Sequence, residues 1–143
     1  MNSETTQSTD PAAALPISAL RERLAGRVIL PTDAEYDAAR VVMPGIVDGH
    51  PGLIVRVANA ADIARAIEFA RQSGLEVAVR SGGHSIHGTT SGGLVIDVRD
   101  MKALDIDAAA GTCWAEIGLT AAEVTSAAWE QGLVIGFGDT GSV

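Results

Sequence analysis

The sequence predicts an α+β fold, and two stretches carry that prediction. Leu53–Val57, Ala60–Gln72 and Glu76–Val79 read as strand, helix and strand, with Ile63, Ala66, Ile67 and Ala70 at helical spacing on one face. A unit of this kind usually closes as a right-handed parallel crossover. Leu104–Asp107 and Thr112–Ile117 alternate apolar and polar residues around Ala109-Ala110-Gly111, which is the pattern of an antiparallel hairpin. A small parallel layer followed by antiparallel strands is the expected architecture.

Residues 1–15 are rich in Ser, Thr and Gln and then in Ala, with no cap, so they are expected to be a disordered tail. Residues 16–43 form a lead-in. Ser18 is placed to cap a helix over Ala19–Ala25 that Gly26 closes in a left-handed conformation, Val28–Leu30 is a short strand stopped by Pro31, and Thr32 or Asp33 opens a helix ending at Arg40. A loop of helix breakers runs to Pro51. Asn59 caps the Ala60–Gln72 helix and Gly74 closes it, Glu76–Val79 reads as a buried strand, and Leu94–Val98 is the next strand. Thr120 caps a helix over Ala121–Gln131 with Val124, Ala127 and Ala128 facing inward, and Gly132 ends it. Gly136–Ser142 is a second glycine-rich loop.

At 143 residues the chain suits one domain or part of one, and 47% apolar against 20% charged residues is a globular balance. Aromatics make up only 3%, so Ala, Val, Ile and Leu must build the core. A net charge of −8 argues against nucleic acid or an anionic membrane as partner, since both call for a basic surface. Cys113 is the one cysteine, which excludes an internal disulfide and suggests a small buried hydrophobe. The first fifteen residues lack the basic and apolar regions of a signal peptide, and no run reaches the ~20 apolar residues of a membrane span, so a cytoplasmic location is expected.

The chemistry concentrates in Val79-Arg80-Ser81-Gly82-Gly83-His84-Ser85-Ile86-His87-Gly88. Gly82 and Gly83 can adopt positive φ and bring successive backbone N–H groups onto an anion. Arg80 adds positive charge, and Ser81 and Ser85 add hydroxyl donors. A cradle at the carboxyl end of a strand is where α/β layers usually bind ligands. The first strand–helix turn carries Ala58-Asn59-Ala60-Ala61 in place of G-x-G-x-x-G, which disfavours a nicotinamide dinucleotide. His84-x-x-His87 could be joined with His50 as a metal site, but the two histidines of the glycine loop have no cysteine or carboxylate close in sequence, so no metal is assigned. Asp97, Asp100, Asp105 and Asp107 read as solvated strand and turn residues.

Arg80-Ser81-Gly82-Gly83-His84, with Gly88 and the strand Leu94–Val98 behind it, resembles the flavin-linking motif of the FAD-dependent oxidases typified by berberine bridge enzyme and bacterial hydroxynicotine oxidase. Their flavin domain is of the vanillyl-alcohol-oxidase or PCMH type, and the resemblance runs from about Pro44 to Val143. It implies that residues 44–143 are the first part of such a domain, whose motif loop wraps the FAD pyrophosphate and whose histidine bonds the 8α-methyl of the flavin. His84 holds that position. Gly138, Asp139, Thr140, Gly141 and Ser142 would form the second wall of the flavin site. Thr140 stands where doubly linked members have a cysteine, so a single attachment is implied. The implied reaction is oxidation of a C–H bond next to oxygen or nitrogen in a small-molecule substrate, with hydride passing to FAD and electrons to molecular oxygen. The resemblance further implies an amino-terminal piece of a longer oxidase, binding FAD weakly by itself and without turnover. A non-catalytic FAD- or phosphate-binding module, or a dehydrogenase with non-covalent FAD, would use the same two loops.

Overall fold

The computed structural model describes residues 15–43, 45, 47–138 and 140–143. The expected disordered tail thus lies almost entirely outside the described residues. In order, the elements are α1 (Ile17–Arg23), β1 (Arg27–Ile29), α2 (Tyr36–Arg40), β2 (Leu53–Arg56), α3 (Ala60–Ser73), β3 (Val77–Arg80), β4 (Leu94–Asp97), β5 (Leu104–Asp107), β6 (Thr112–Ala115) and α4 (Ala121–Glu130). The fold is α+β, with a four-stranded sheet in the order β1-β2-β4-β3 and a separate β5–β6 hairpin.

β2, β4 and β3 are parallel, and β1 pairs antiparallel on the β2 edge. The expected crossover is therefore modified: β2 and β3 run in the same direction but are not neighbours, because β4 lies between them. Burial accounts for the central place of β4, all four of whose residues are buried, whereas β3 alternates exposed and buried. The reading of Glu76–Val79 as a buried strand is corrected accordingly. Val77 and Val79 lie on the sheet edge with 40% and 56% of their surface exposed.

Strand alternation divides the apolar residues between two faces. Leu53, Val55, Leu94 and Ile96 pack with Leu20 of α1 and with Ala66, Phe69 and Ala70 of α3, while Ile54, Val95, Ala78 and Ile29 pack with Tyr36 and Ala39 of α2. Each fully buried Leu, Ile or Val contributes about 1.5–3 kcal/mol. In α3 the inward face is rotated from the expected one, with Phe69 buried and Ile67 half exposed. The larger aromatic side chain covers more of the sheet.

Both long helices begin as their caps dictate. Asn59 accepts from the Asp62 amide at 3.0 Å, and Thr120 with Glu123 forms a reciprocal capping box. Gly74 and Gly132 end their helices at φ +65° and +74°. The first helix differs from expectation, since α1 starts at Ile17, has no side-chain cap, and ends at extended Leu24. Gly26 is not a left-handed cap. A Cβ on Gly26 would stand 2.0 Å from the Arg56 carbonyl, so glycine is needed there for close passage against β2.

That close passage is fastened by Asp62. Its buried carboxylate accepts from the amides of Ala25 at 3.0 Å, Gly26 at 2.8 Å and Ala58 at 3.1 Å, and it pairs with Arg65 at 3.1 Å. Burial opposes its charge, but the three amides and Arg65 outweigh burial and hold the carboxyl below its ordinary pKa. Asp62→Ala should lower stability by on the order of 3 kcal/mol, because it strands buried donors. The check is a shift in urea midpoint at unchanged slope. A folded-state pKa below the unfolded one means that the ionic contribution is complete above about pH 4 and is lost as pH falls through the folded value. The gap between wild type and variant should therefore narrow on acidification.

Candidate functional site

At the carboxyl ends of the three parallel strands, Arg56, Asp97 and Arg80 occupy matched register positions. Asp97 is fully buried, which corrects its reading as a solvated residue. Its carboxylate pairs with Arg56 at 3.0 Å and Arg99 at 2.7 Å, and accepts the Arg99 amide at 3.1 Å. Burial works against the charge, and the Arg99 contacts overcome it, so the Asp97 pKa lies below the ordinary carboxylate value. Both carboxylate oxygens are engaged.

Arg80 gains no hydrogen bond from this arrangement. It is 7% exposed, and among the described residues its Nε and Nη1 have no hydrogen-bond partner. Burial pulls its pKa down, with repulsion from Arg99 and Arg56 adding and attraction to Asp97 opposing. Arginine stays protonated regardless. A buried, unsatisfied guanidinium is costly unless an anion completes it.

The turn above it leaves room beside the guanidinium. Gly83 sits at φ +78°, and a Cβ there would lie 3.1 Å from Arg80 Nε. Gly82 does not need positive φ, but a Cβ would come within 2.8 Å of the His84 ring. The Met43 amide donates to the Gly83 carbonyl at 2.7 Å, and the Gly88 amide to the Ser85 carbonyl at 3.1 Å, closing the loop from both sides. Arg80, Ser81, Gly82, Gly83, His84, Ser85 and Gly88 line one cleft of about 200 Å³ with Val79 and Val143. All the candidate residues of the first loop thus converge.

The roles of the two serines differ from those expected. Ser81 Oγ donates to the Ile117 carbonyl at 2.7 Å, so its proton is spent on joining the cradle to the β6–α4 loop. Ser85 Oγ accepts the His87 amide at 3.1 Å, and the exposed His87 contributes through its backbone. His84 Nε2 lies 2.9 Å from the Ser142 carbonyl.

The second loop is brought up only in part. Gly141 and Val143 carbonyls accept from the Ala122 and Ala121 amides at 2.9 and 2.6 Å, and the Val143 amide donates to the Thr140 carbonyl. These contacts, with the capping box, use the free amides of the first turn of α4, so that helix end is not an anion site. Gly138 is exposed with open space around it, and Asp139 lies outside the described residues. Cys113 is exposed, not buried, on a β6 strand whose four residues are all exposed. Among the described residues no group of His, Cys, Asp or Glu is arranged to hold a metal.

A second cleft of about 100 Å³ shares Ser81, Gly82 and Val143 with the first and is lined further by Arg99, Lys102, Gly118, Leu119 and Thr120. Sequence reasoning passed over it. Its Gly118 is needed for close passage, for a Cβ there would stand 2.4 Å from the Val98 carbonyl.

This fold and site define a flavin-binding domain, and the chain belongs to the family described as FAD binding domain, whose model matches residues 51–143. It is 36% identical over 110 residues to (R)-6-hydroxynicotine oxidase of Paenarthrobacter nicotinovorans, covering 76% of this chain and 24% of that one. Berberine bridge enzyme-like 8 of Arabidopsis thaliana is 29% identical over 61% of this chain and 18% of its own. Among solved structures, 6-hydroxy-D-nicotine oxidase from Arthrobacter nicotinovorans superposes with a TM-score of 0.82 at 34% identity, covering 84% of this chain and 27% of that one. BBE-like 1 of Physcomitrella patens gives 0.73 at 25% identity, over 80% and 26%. The chain spans about a fifth to a quarter of the length of these relatives. Its fold is the PCMH type found in them.

An unsatisfied buried charge predicts a stability gain on its removal. Arg80→Met, of similar length and apolar, should leave the ligand-free protein at least as stable as wild type and up to about 3 kcal/mol more so in urea unfolding. A loss beyond about 1 kcal/mol would show that Arg80 is satisfied in the free protein.

Proposed function

We propose that this chain supplies the diphosphate-binding and flavin-anchoring wall of an FAD-dependent oxidase acting on a small molecule. The observation that carries the reading is Arg80, a buried guanidinium with free Nε and Nη1 beneath a glycine turn that would close if Gly82 or Gly83 bore a side chain. That donor set suits a diphosphate, which offers anionic oxygens to planar guanidinium donors and to backbone amides alike. FAD therefore fits the residues present.

In this reading Arg80 neutralises the diphosphate, Gly82 and Gly83 let its oxygens approach the backbone, and Gly88 and Ser85 hold the loop in shape. Ser142 and Gly141, with Gly138 and Thr140 before them, would form the facing wall. His84, at the cleft, would be the residue that holds the flavin covalently, through a ring nitrogen. Bound FAD supplies hydride acceptance from a substrate C–H bond next to oxygen or nitrogen, with molecular oxygen as the final acceptor. The net negative surface is compatible with a small-molecule partner. The family match supports FAD as the cofactor, and the oxidase relatives support this class of chemistry.

The test is acid denaturation of the FAD-loaded protein followed by peptide mass analysis. Flavin should stay on the peptide that contains His84, and His84→Ala should release it while part of the non-covalent binding persists through Arg80 and the glycines. Release of all the flavin from the wild-type protein would refute the covalent attachment.

A further inference from the structure

The contact between His84 and Ser142 carries a consequence for which nitrogen of the ring is reactive. His84 Nε2 is 2.9 Å from the Ser142 carbonyl oxygen. A carbonyl oxygen can only accept, so Nε2 must hold a proton, and in the neutral ring Nδ1 then keeps the free lone pair. We propose that the Ser142 carbonyl acts as a tautomer lock on His84, keeping the proton on Nε2 and leaving Nδ1 as the nitrogen available for bonding. The inference rests on the preceding reading of His84 as the attachment point and specifies how that residue is prepared.

Two independent features hold the lock in place. The carbonyls on either side of Ser142, those of Gly141 and Val143, are tied to the Ala122 and Ala121 amides at the start of α4. This anchors the segment that carries the Ser142 carbonyl. On the other side, the Cδ2–Nε2 edge of the ring lies against Gly82, where a Cβ would stand 2.8 Å from Cδ2 and 3.2 Å from Nε2. Glycine at this position gives that edge room to lie against the backbone. Turning the ring over would replace Nε2–H by a carbon at the carbonyl and forfeit the hydrogen bond, a loss of about 1 kcal/mol. An imidazole oriented by a hydrogen bond on its far nitrogen is how catalytic and metal-bound histidines are fixed in one tautomer. Here the second loop does the same for the first.

The experiment needs no flavin. The 143-residue protein, labelled with ¹⁵N at histidine, is examined through two-bond ¹⁵N–¹H couplings at about pH 8, above the usual imidazole range. His84 is assigned by its loss in His84→Gln. A single Nε2–H tautomer is expected. Ala122→Leu changes an exposed helix position whose Cβ would lie 3.2 Å from a Cβ at Gly141, so the longer side chain should displace the loop and give a mixture of tautomers. A melting curve confirms that the variant is folded. Nδ1–H in the wild-type protein, or an unchanged single tautomer in folded Ala122→Leu, would overturn the lock. Where covalent flavin forms, Nδ1 should be the linked atom, and an Nε2 link would also overturn it. Complete absence of a link would count against the attachment reading, while the tautomer measurement would still decide this one.

Discussion

Asp97 has two guanidinium partners and faces three. Placed at the end of the central strand, it fastens Arg56 on one side and Arg99 beyond, and its oxygens are filled before Arg80, opposite it in register, can claim one. The carboxyl end of the sheet therefore carries an excess of positive charge inside a chain whose net charge is −8. A buried charge without a partner is unfavourable in the free protein and favourable once an anion arrives. The remaining features of the cleft serve this imbalance. Gly83 keeps the space over the guanidinium open, the Met43 amide holds the turn, and Ser81 ties it to the loop that leads into α4.

The two glycine loops work unequally. The first is braced by contacts with Met43, Ile117 and its own residues, and it supplies the lining of the main cleft. The second reaches the site through the Ser142 carbonyl and Val143, held there by the amides of α4. Since those amides are already committed, the positive end of α4 acts through protein carbonyls and not on a ligand directly. In the proposed function, anion recognition would fall to Arg80 and the turn. The two clefts meet at Ser81, Gly82 and Val143.

The motif around Arg80 to His84 was legible because its glycines, charge and histidine lie within five consecutive residues, and the flanking strands follow simple periodicity. Caps at Asn59 and Thr120 were legible for the same local reason. What escaped the sequence depends on distant partners. Gly26 looks like a helix terminator, but its constraint is the Arg56 carbonyl; Asp97 looks solvated until Arg56 and Arg99 close on it. Ser81 was read as a donor to a ligand, yet the Ile117 carbonyl, 36 residues away, takes its proton. The place of β4 between β2 and β3 is a matter of burial on both faces, which the alternation of a four-residue strand cannot announce. Cys113 misleads in the opposite direction, being read as a buried hydrophobe that the structure leaves exposed.

In the proposed function, an unsatisfied Arg80 makes this a site for the diphosphate part of a flavin dinucleotide. Calorimetric titration with FAD and with riboflavin, which lacks phosphate, tests it most directly in wild type and Arg80→Met. The account predicts that FAD binds the wild-type protein more tightly than riboflavin does, and that Arg80→Met weakens FAD about ten- to a hundredfold, the worth of a charge-assisted hydrogen bond, while leaving riboflavin unchanged. Equal affinity for the two ligands, or FAD binding indifferent to the loss of Arg80, would contradict it.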